Sequence, residues 1–297
     1  MVRAAFIFVF VVLFLGACSS LPGPVKVQPK EITDGYLLLE KSHKLLATNE
    51  RIQSTVFARR AQKMFMLADD ERGLILVKLH LARLLKSTSV SESETLAGDA
   101  RQLITLFRPD LAPYYQLFLV ESLFAQNKYS EVLRLVEPLE SMEEPFFQPS
   151  FLAYGVMARI KLSMQPSNKR FQEALNKLSG LSLELEESYF ERQLQDPLVA
   201  SFALYVCGLG ESYRGNWQKA TDWYMKARKI DQEQSHFQGT ADNLFGLGQC
   251  TSELNERQVA HSYFKRASNI YMSLKDTLSA AEALKQAELN KSMKSKK

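Results

Sequence analysis

Few residues of this 297-residue chain are spaced for chemistry. Cys18 stands at the end of an apolar run that begins at Ala4 behind a single Arg3, and a small pair, Gly16-Ala17, leads directly into it. The stretch Ala4 to Phe14 is too short to cross a bilayer stably as a helix and has the length of a signal-peptide core. The other two thiols, Cys207 and Cys250, would then reside in an oxidising compartment, where they can pair as a disulfide or serve as two buried small side chains. The four histidines, His43, His80, His236 and His261, lie far apart in sequence, and none has a carboxylate or cysteine at metal-ligand spacing. Gly210-Glu211-Ser212-Tyr213-Arg214 lacks the second glycine of a nucleophile elbow and falls in a helical stretch. Gly208-Leu209-Gly210 and Gly246-Leu247-Gly248 are fragments of a dinucleotide loop with no strand before them, and close helix packing explains them better. The acidic run Asp69-Asp70-Glu71 suits a helix junction, where carboxylates favour the positive end of the following helix. No catalytic constellation emerges. The expectation is a non-enzymatic protein with no metal and no cofactor.

The elements that carry these residues are helices. Apolar content of 46% and charged content of 24% are ordinary globular values, and 13 Gly with 10 Pro is sparse punctuation for such a length. Leu, Ala, Lys, Glu and Gln outweigh β-branched residues, which favours helix. A formal net charge of +4, evenly spread, is too small to imply nucleic acid. Helical periodicity predicts segments near 33–47, 50–68, 70–86, 95–107, 113–126, 129–141, 149–164, 168–179, 184–194, 197–214, 217–230, 238–254, 257–274 and 277–291, and no stretch alternates as a strand. Short connections between them make antiparallel hairpins. Pro22, Pro24 and Pro29 mark residues 18–32 as an extended tether. The Ser- and Glu-rich stretch Ser87 to Glu94 is either a break between two parts or a long loop between repeats.

Leu15-Gly16-Ala17-Cys18 resembles the lipobox of bacterial lipoproteins. The resemblance implies cleavage of residues 1–17, a covalent lipid on Cys18 and attachment to a membrane. Ser19, standing where an Asp would imply inner-membrane retention, implies the outer membrane and a protein facing the periplasm.

A second resemblance lies near the C-terminus. Leu204, Cys207 and Gly208 are followed by Gly215, Trp217, Ala220, Tyr224 and Ala227, and Leu244, Leu247, Gly248, Ala260, Phe264 and Ala267 repeat the pattern 40 residues on. Both units resemble the tetratricopeptide repeat, with Glu211 and Gln232 departing from the pattern in the first and Thr251, Asn255 and Arg257 in the second. The extra length over the usual repeat is expected in the polar stretch Gln234 to Gly239. Degenerate units precede them, one around Leu119, Asn127, Tyr129 and Val132, the other around Gly155, Phe171 and Ala174. The implied fold is all-α: a right-handed α-superhelix of antiparallel helix hairpins, with a degenerate helical region at 33–110, repeats at 111–275, and a capping helix with basic tail at 276–297. The cap is expected to bury the stripe Leu278, Ala281, Leu284 and Ala287 or Leu289.

In such a solenoid the inner helix of each hairpin lines a concave groove. The register places Tyr114, Leu117, Glu121 and Phe124 there from one unit, Phe202, Tyr205, Leu209, Ser212 and Tyr213 from the next, and Asp242, Phe245, Gln249 and Glu253 from the last. Aromatic side chains among scattered polar groups suit an extended peptide or a partner helix. The same residues can instead be covered by helices 33–86 folding back. The implied function is a membrane-anchored scaffold that binds an envelope protein. The alternative is a small-molecule-binding partner of a periplasmic transporter, which needs a closed, mostly apolar pocket.

Overall fold

In a computed structural model, residues 29–141, 147–190 and 197–292 are described; the leader, Cys18 and the end of the basic tail lie outside them. Thirteen α-helices and one short 3-10 turn make up these residues, with no strand among them. They are α1 (Lys30–Ala47), α2 (Arg51–Leu67), α3 (Glu71–Leu85), α4 (Val90–Phe107), α5 (Ala112–Ala125), α6 (Tyr129–Val136), α7 (Gln148–Lys161), α8 (Lys169–Phe190), α9 (Pro197–Tyr213), α10 (Trp217–Glu233), α11 (Phe237–Glu253), α12 (Arg257–Ser273) and α13 (Thr277–Ser292).

From α9 onward the helices begin at residues 197, 217, 237, 257 and 277, so helix plus turn has a period of 20 residues. Each of these turns is reversed by one residue in the left-handed region: Gly215 (φ 81°), Ser235 (55°), Asn255 (63°) and Lys275 (63°). The same device follows α1 at Asn49, α2 at Asp69, α5 at Asn127 and α7 at Ser163. The additional residues of the 40-residue repeat therefore sit in the helices. The stretch Gln234 to Gly239 is no enlarged loop, because α10 runs to Glu233 and α11 starts at Phe237. Two other sequence expectations change. The separate helices at 168–179 and 184–194 are one continuous helix, α8, through an exposed Gly180 that meets no neighbour. α6 ends at Val136, and turns carry the chain on to Ser141.

Neighbouring helices pair as antiparallel hairpins, and the odd-numbered helices also touch one another in series, α1 to α3 and on to α11. They form the inner layer of a superhelix, and the even-numbered helices form the outer one. Missing side chains set how closely the layers approach. The Tyr224 ring of α10 lies where a Cβ on Gly208 of α9 would stand 2.8 Å away and one on Gly246 of α11 only 2.6 Å away. Phe264 fills the corresponding place beside Gly248. The N-terminal hairpins use the same wedge without repeat spacing: Phe65 of α2 presses against both Gly35 of α1 and Gly73 of α3.

The core runs unbroken from Leu39 to Phe118, through the stretch Ser87 to Glu94. That stretch is the turn of the α3–α4 hairpin, with α4 already formed at Val90. α13 closes the stack on α12, but its buried face consists of Ala280, Ala283 and Ala287, while Leu278, Leu284 and Leu289 point outward. Alanine wins the inner face because it lets the two backbones come close. Ser268 and His261 of α12 reach the Ala280 and Ala287 carbonyls at 2.9 and 2.8 Å.

Candidate functional site

The superhelix comes round far enough to meet itself. Asn49, in the α1–α2 turn, donates its side-chain amide to the Leu274 carbonyl in the α12–α13 turn at 3.3 Å, across 225 residues of sequence. Inside the curve is a cavity of about 510 Å³ lined by five inner helices. α1 contributes Leu39, His43 and Leu46; α3 contributes Leu76, Leu79, His80 and Arg83; α5 contributes Tyr114, Leu117 and Glu121; α7 contributes Ser150 and Tyr154; α9 contributes Leu198, Val199 and Phe202. His236, from the α10–α11 turn, completes the wall. A second hollow of about 910 Å³ shares Leu39, His43, Leu46, Leu198 and His236 with it and extends along Glu40, Lys44 and Thr48. The N-terminal helices thus face the groove residues across a space without filling it.

The walls are mainly aliphatic and aromatic, with three polar clusters. Arg83 and Glu121 form an ion pair at 2.5 Å that ties α3 to α5, and the Arg83 guanidinium also lies over the Phe118 ring. His43 and His80 bring their rings to 3.9 Å between centroids. His80 Nε2 shares a hydrogen bond of 2.8 Å with Ser42 Oγ, which also bonds to Ser54. Burial, and then the Arg83 charge, lower the His43 pKa to about 4. Burial, with His43 and Arg83 beside it, lowers His80 to about 2. His236 goes the other way. Burial opposes its charge, but the hydrogen bond to Asp231 at 2.9 Å and the charges of Asp231 and Asp242 outweigh it and raise the pKa. Asp231 is itself buried and accepts from Ser201 at 2.5 Å and Asn243 at 2.8 Å.

The polar groups of the wall are tied to one another and to the helices that carry them. Ser42 next to His80 has the composition of a nucleophile and base, yet Ser42 is fully buried between α1 and α2 and no substrate atom can reach it. Three of the four histidines, distant in sequence, are brought to one compartment by the fold. Even so, among the described residues no group of three or more His, Cys, Asp or Glu side chains is arranged to hold a metal ion. The acidic run is a junction: Asp69 is the left-handed turn residue and Glu71 opens α3.

The residues predicted for the groove divide into three sets. Tyr114, Leu117, Glu121 and Phe202 line the main cavity. Leu209, Tyr213 and Gln249 line a separate hollow of about 340 Å³ farther along the inner face, with Ser212, Ser252 and Glu253. Phe124, Tyr205 and Phe245 pack between helices instead: Phe124 against Tyr129 and Tyr154, Tyr205 against Tyr224, Phe245 against Phe264. Cys207 and Cys250 are both buried free thiols, Cys207 beside Ser179 and Ser182 and Cys250 beside Ser212. The N-terminal wall answers to the alternative in which helices 33–86 fold back, though they face the groove without filling it; sequence reasoning missed its individual residues and Tyr154. Only the adjacent Gly155, a helix-packing glycine on α7, could have pointed to Tyr154.

The model of the family described as tetratricopeptide repeat matches residues 201–273, the part with the regular 20-residue period. The chain carries degenerate tetratricopeptide repeats. Two solved structures share the fold across 89% of the chain. One is the Rap protein complexed with Competence and Sporulation Factor, 14% identical with a TM-score of 0.52 and 77% of its own length covered. The other is a Signal Transduction ATPase with Numerous Domains protein with a tetratricopeptide repeat sensor, from Pyrococcus horikoshii. It is 15% identical with a TM-score of 0.53, and the match covers 44% of that chain. No curated protein matches in sequence. The tetratricopeptide architecture thus extends well past the matched stretch, out to the N-terminal hairpins. No helix among the described residues is long and apolar enough to cross a membrane.

Proposed function

We propose that the chain is a non-enzymatic adaptor that captures an extended segment of a partner protein inside its superhelix. One observation carries this reading: the curved inner wall encloses a largely apolar compartment of about 510 Å³, joined to one of about 910 Å³. A helix, about 10–12 Å across with its side chains, is a poor fit for so lined and divided a space. An extended peptide can set apolar side chains between Tyr114, Leu117, Tyr154 and Phe202 and meet Arg83, Glu121 and His236 with its polar backbone. The Rap protein, which shares the fold, was solved with a bound factor, in keeping with use of such a compartment for a guest. The partner is an envelope protein in this reading. Cys18 carries a lipid that holds the chain on the periplasmic face of the outer membrane after removal of the leader, and Cys18→Ala releases it to the soluble fraction. A Cys18→Ala protein that still pellets with membranes refutes the anchor.

The meeting of Asn49 with Leu274 favours a second reading, in which the compartment holds a small molecule delivered to a transporter. Native mass spectrometry of the protein recovered from envelopes separates the two. A peptide-sized adduct that disappears in Leu117→Trp, where the indole fills the cavity, supports capture of a partner segment. An adduct of a few hundred daltons, lost in the same variant, supports the second reading. An adduct that survives Leu117→Trp places the guest elsewhere and refutes both.

A further inference from the structure

Among the described residues no element packs on the outer face of α2, and its composition is unusual for a solvated helix. α2 carries Arg51, Arg59, Arg60 and Lys63 and no acidic residue. Its buried side is Ser54, Ala58, Ala61 and Phe65. At about 100° per residue, Ile52, Val56, Arg60, Lys63, Met66 and Leu67 fall in an arc of about 120° on the opposite side. All six are exposed, Ile52 to 81% and Val56 to 52%. Arg59, in the same arc, is engaged with Glu92 of α4, but Arg60 and Lys63 have no carboxylate partner among the described residues. Beside Ile52 and Val56 lies a hollow of about 550 Å³, floored by Leu84 and Leu85 and rimmed by Arg51, Arg59 and Arg60.

Arg60 lies over the Phe57 ring, but a partner protein with a core-like surface would still bury Arg60 and Lys63 without a counter-charge, and water alone leaves four large apolar side chains exposed. An anionic bilayer surface satisfies both sets, since phosphates meet the cations while the apolar side chains enter the acyl boundary. The position along the chain agrees. Ten residues separate Cys18 from Pro29, so a lipid at Cys18 keeps the start of α1 within about 40 Å of the membrane at a full reach of about 3.4 Å per residue, and α2 lies one helix length, about 27 Å, or less beyond it.

We infer that the outward face of α2, centred on Ile52, Val56, Arg60 and Lys63, docks on an anionic phospholipid surface and fixes how the superhelix stands on its membrane. The inference uses the proposed anchor only to bring this face near lipid, and it is independent of what the cavity holds.

The test is site-specific protection in the full chain, reconstituted in vesicles of phosphatidylethanolamine with phosphatidylglycerol and, separately, of phosphatidylcholine alone. An environment-sensitive dye is placed at Val56→Cys and, as control, at Val259→Cys on α12, where the native valine is 44% exposed. Expected is severalfold protection of the residue-56 dye from an aqueous quencher on the anionic vesicles, with none at residue 259. Each basic residue near an anionic surface contributes about 1 kcal/mol, roughly fivefold. The pair Arg60→Gln and Lys63→Gln, both on an exposed face, should therefore lower the docked-to-undocked ratio about 25-fold with unchanged helix content. Equal quenching at the two sites in a chain that sediments with the vesicles overturns the docking and leaves the anchor standing. Protection at residue 56 without vesicles overturns it in favour of a second copy of the chain. Protection that is as strong on phosphatidylcholine, or unmoved by the double substitution, overturns the role of charge and with it the proposal.

Discussion

A single substitution, glycine to alanine, should change sign with position along this solenoid. In a helix interior the added methyl recovers about 0.5–1 kcal/mol through reduced freedom of the unfolded chain and better helix propensity. At Gly98 of α4 and Gly180 of α8 a Cβ meets nothing within 4 Å, so that gain is the whole effect and Gly→Ala stabilises. At Gly246 the new methyl stands 2.6 Å from Cζ of Tyr224, a rigid ring whose other neighbours include Gly208 at 2.8 Å. The ring cannot retreat from α11 without pressing on α9. Overpacking of this kind costs about 1–3 kcal/mol. Less the helical gain, Gly246→Ala should destabilise by about 0.5–2 kcal/mol. Urea unfolding is the assay, read by circular dichroism for the array and by tryptophan fluorescence for the repeat in question. Both tryptophans, Trp217 and Trp223, lie on α10 with Tyr224. Solenoid units need not unfold together, so the local probe decides. In a Tyr224→Leu background the penalty at Gly246 should shrink toward zero, giving a coupling of about 0.5–2 kcal/mol. A Gly246→Ala protein as stabilised as Gly180→Ala would falsify the claim that missing side chains set the interhelical distance.

The remaining predictions concern buried charge and thiol chemistry. His80 is neutral in the folded chain, with its pKa lowered from 6.5 to about 2, so the unfolded chain binds more protons between those values. Stability is therefore complete above about pH 6.5 and falls as pH drops below it; denaturant midpoints between pH 7 and 5 should decline, and His80→Leu should flatten that slope. Arg159, 1% exposed, is held by Glu140 at 2.6 Å and Glu137 at 3.5 Å, so Glu140→Ala should cost about 3–5 kcal/mol by leaving a buried guanidinium underpaired. The variant Arg159→Met with Glu140→Leu should recover most of that loss in the same melts. Burial pushes the Cys207 thiol up to about 11, so it should resist a maleimide at neutral pH until denaturant is added. Fast labelling of Cys207 in the folded protein contradicts its burial.

How much of the fold was legible depended on how repetitive the local rule is. Helix type followed from composition and periodicity, and the repeat at 201–273 could be read from Gly208, Tyr224, Gly248 and Phe264 because each stands at the same offset in its unit. The hairpins before residue 110 obey the same packing rule with other offsets, Gly35 and Gly73 meeting Phe65 near the opposite end of the hairpin. A pattern search keyed to offset passes over them. The predicted break between 168–179 and 184–194 does not form at Gly180 for a related reason. An exposed glycine inside a strong helical context weakens a helix by about 1 kcal/mol without ending it. On α13, hydrophobicity favoured the leucines for the buried face, but closeness of approach favoured Ala280, Ala283 and Ala287.

The compartment itself had no sequence signature, and the reason is geometric. Tyr114, Leu117, Glu121 and Phe202 could be assigned to the inner face because which side of a helix a residue occupies is a local property. Whether that face looks onto solvent or onto another wall depends on the small rotation added at each hairpin, summed over the whole stack. Only the sum brings Asn49 to Leu274 and sets His43 and His80 opposite Phe202 and His236. This has a consequence for binding. A compartment shaped by accumulated curvature, with the Asn49–Leu274 hydrogen bond where its turns meet, changes width with any small rotation shared among its hairpins. In the proposed capture, a guest that touches α1, α3, α5 and α9 together favours whichever curvature brings those four helices to it. The affinity for such a guest then includes whatever it costs to hold the curvature in place.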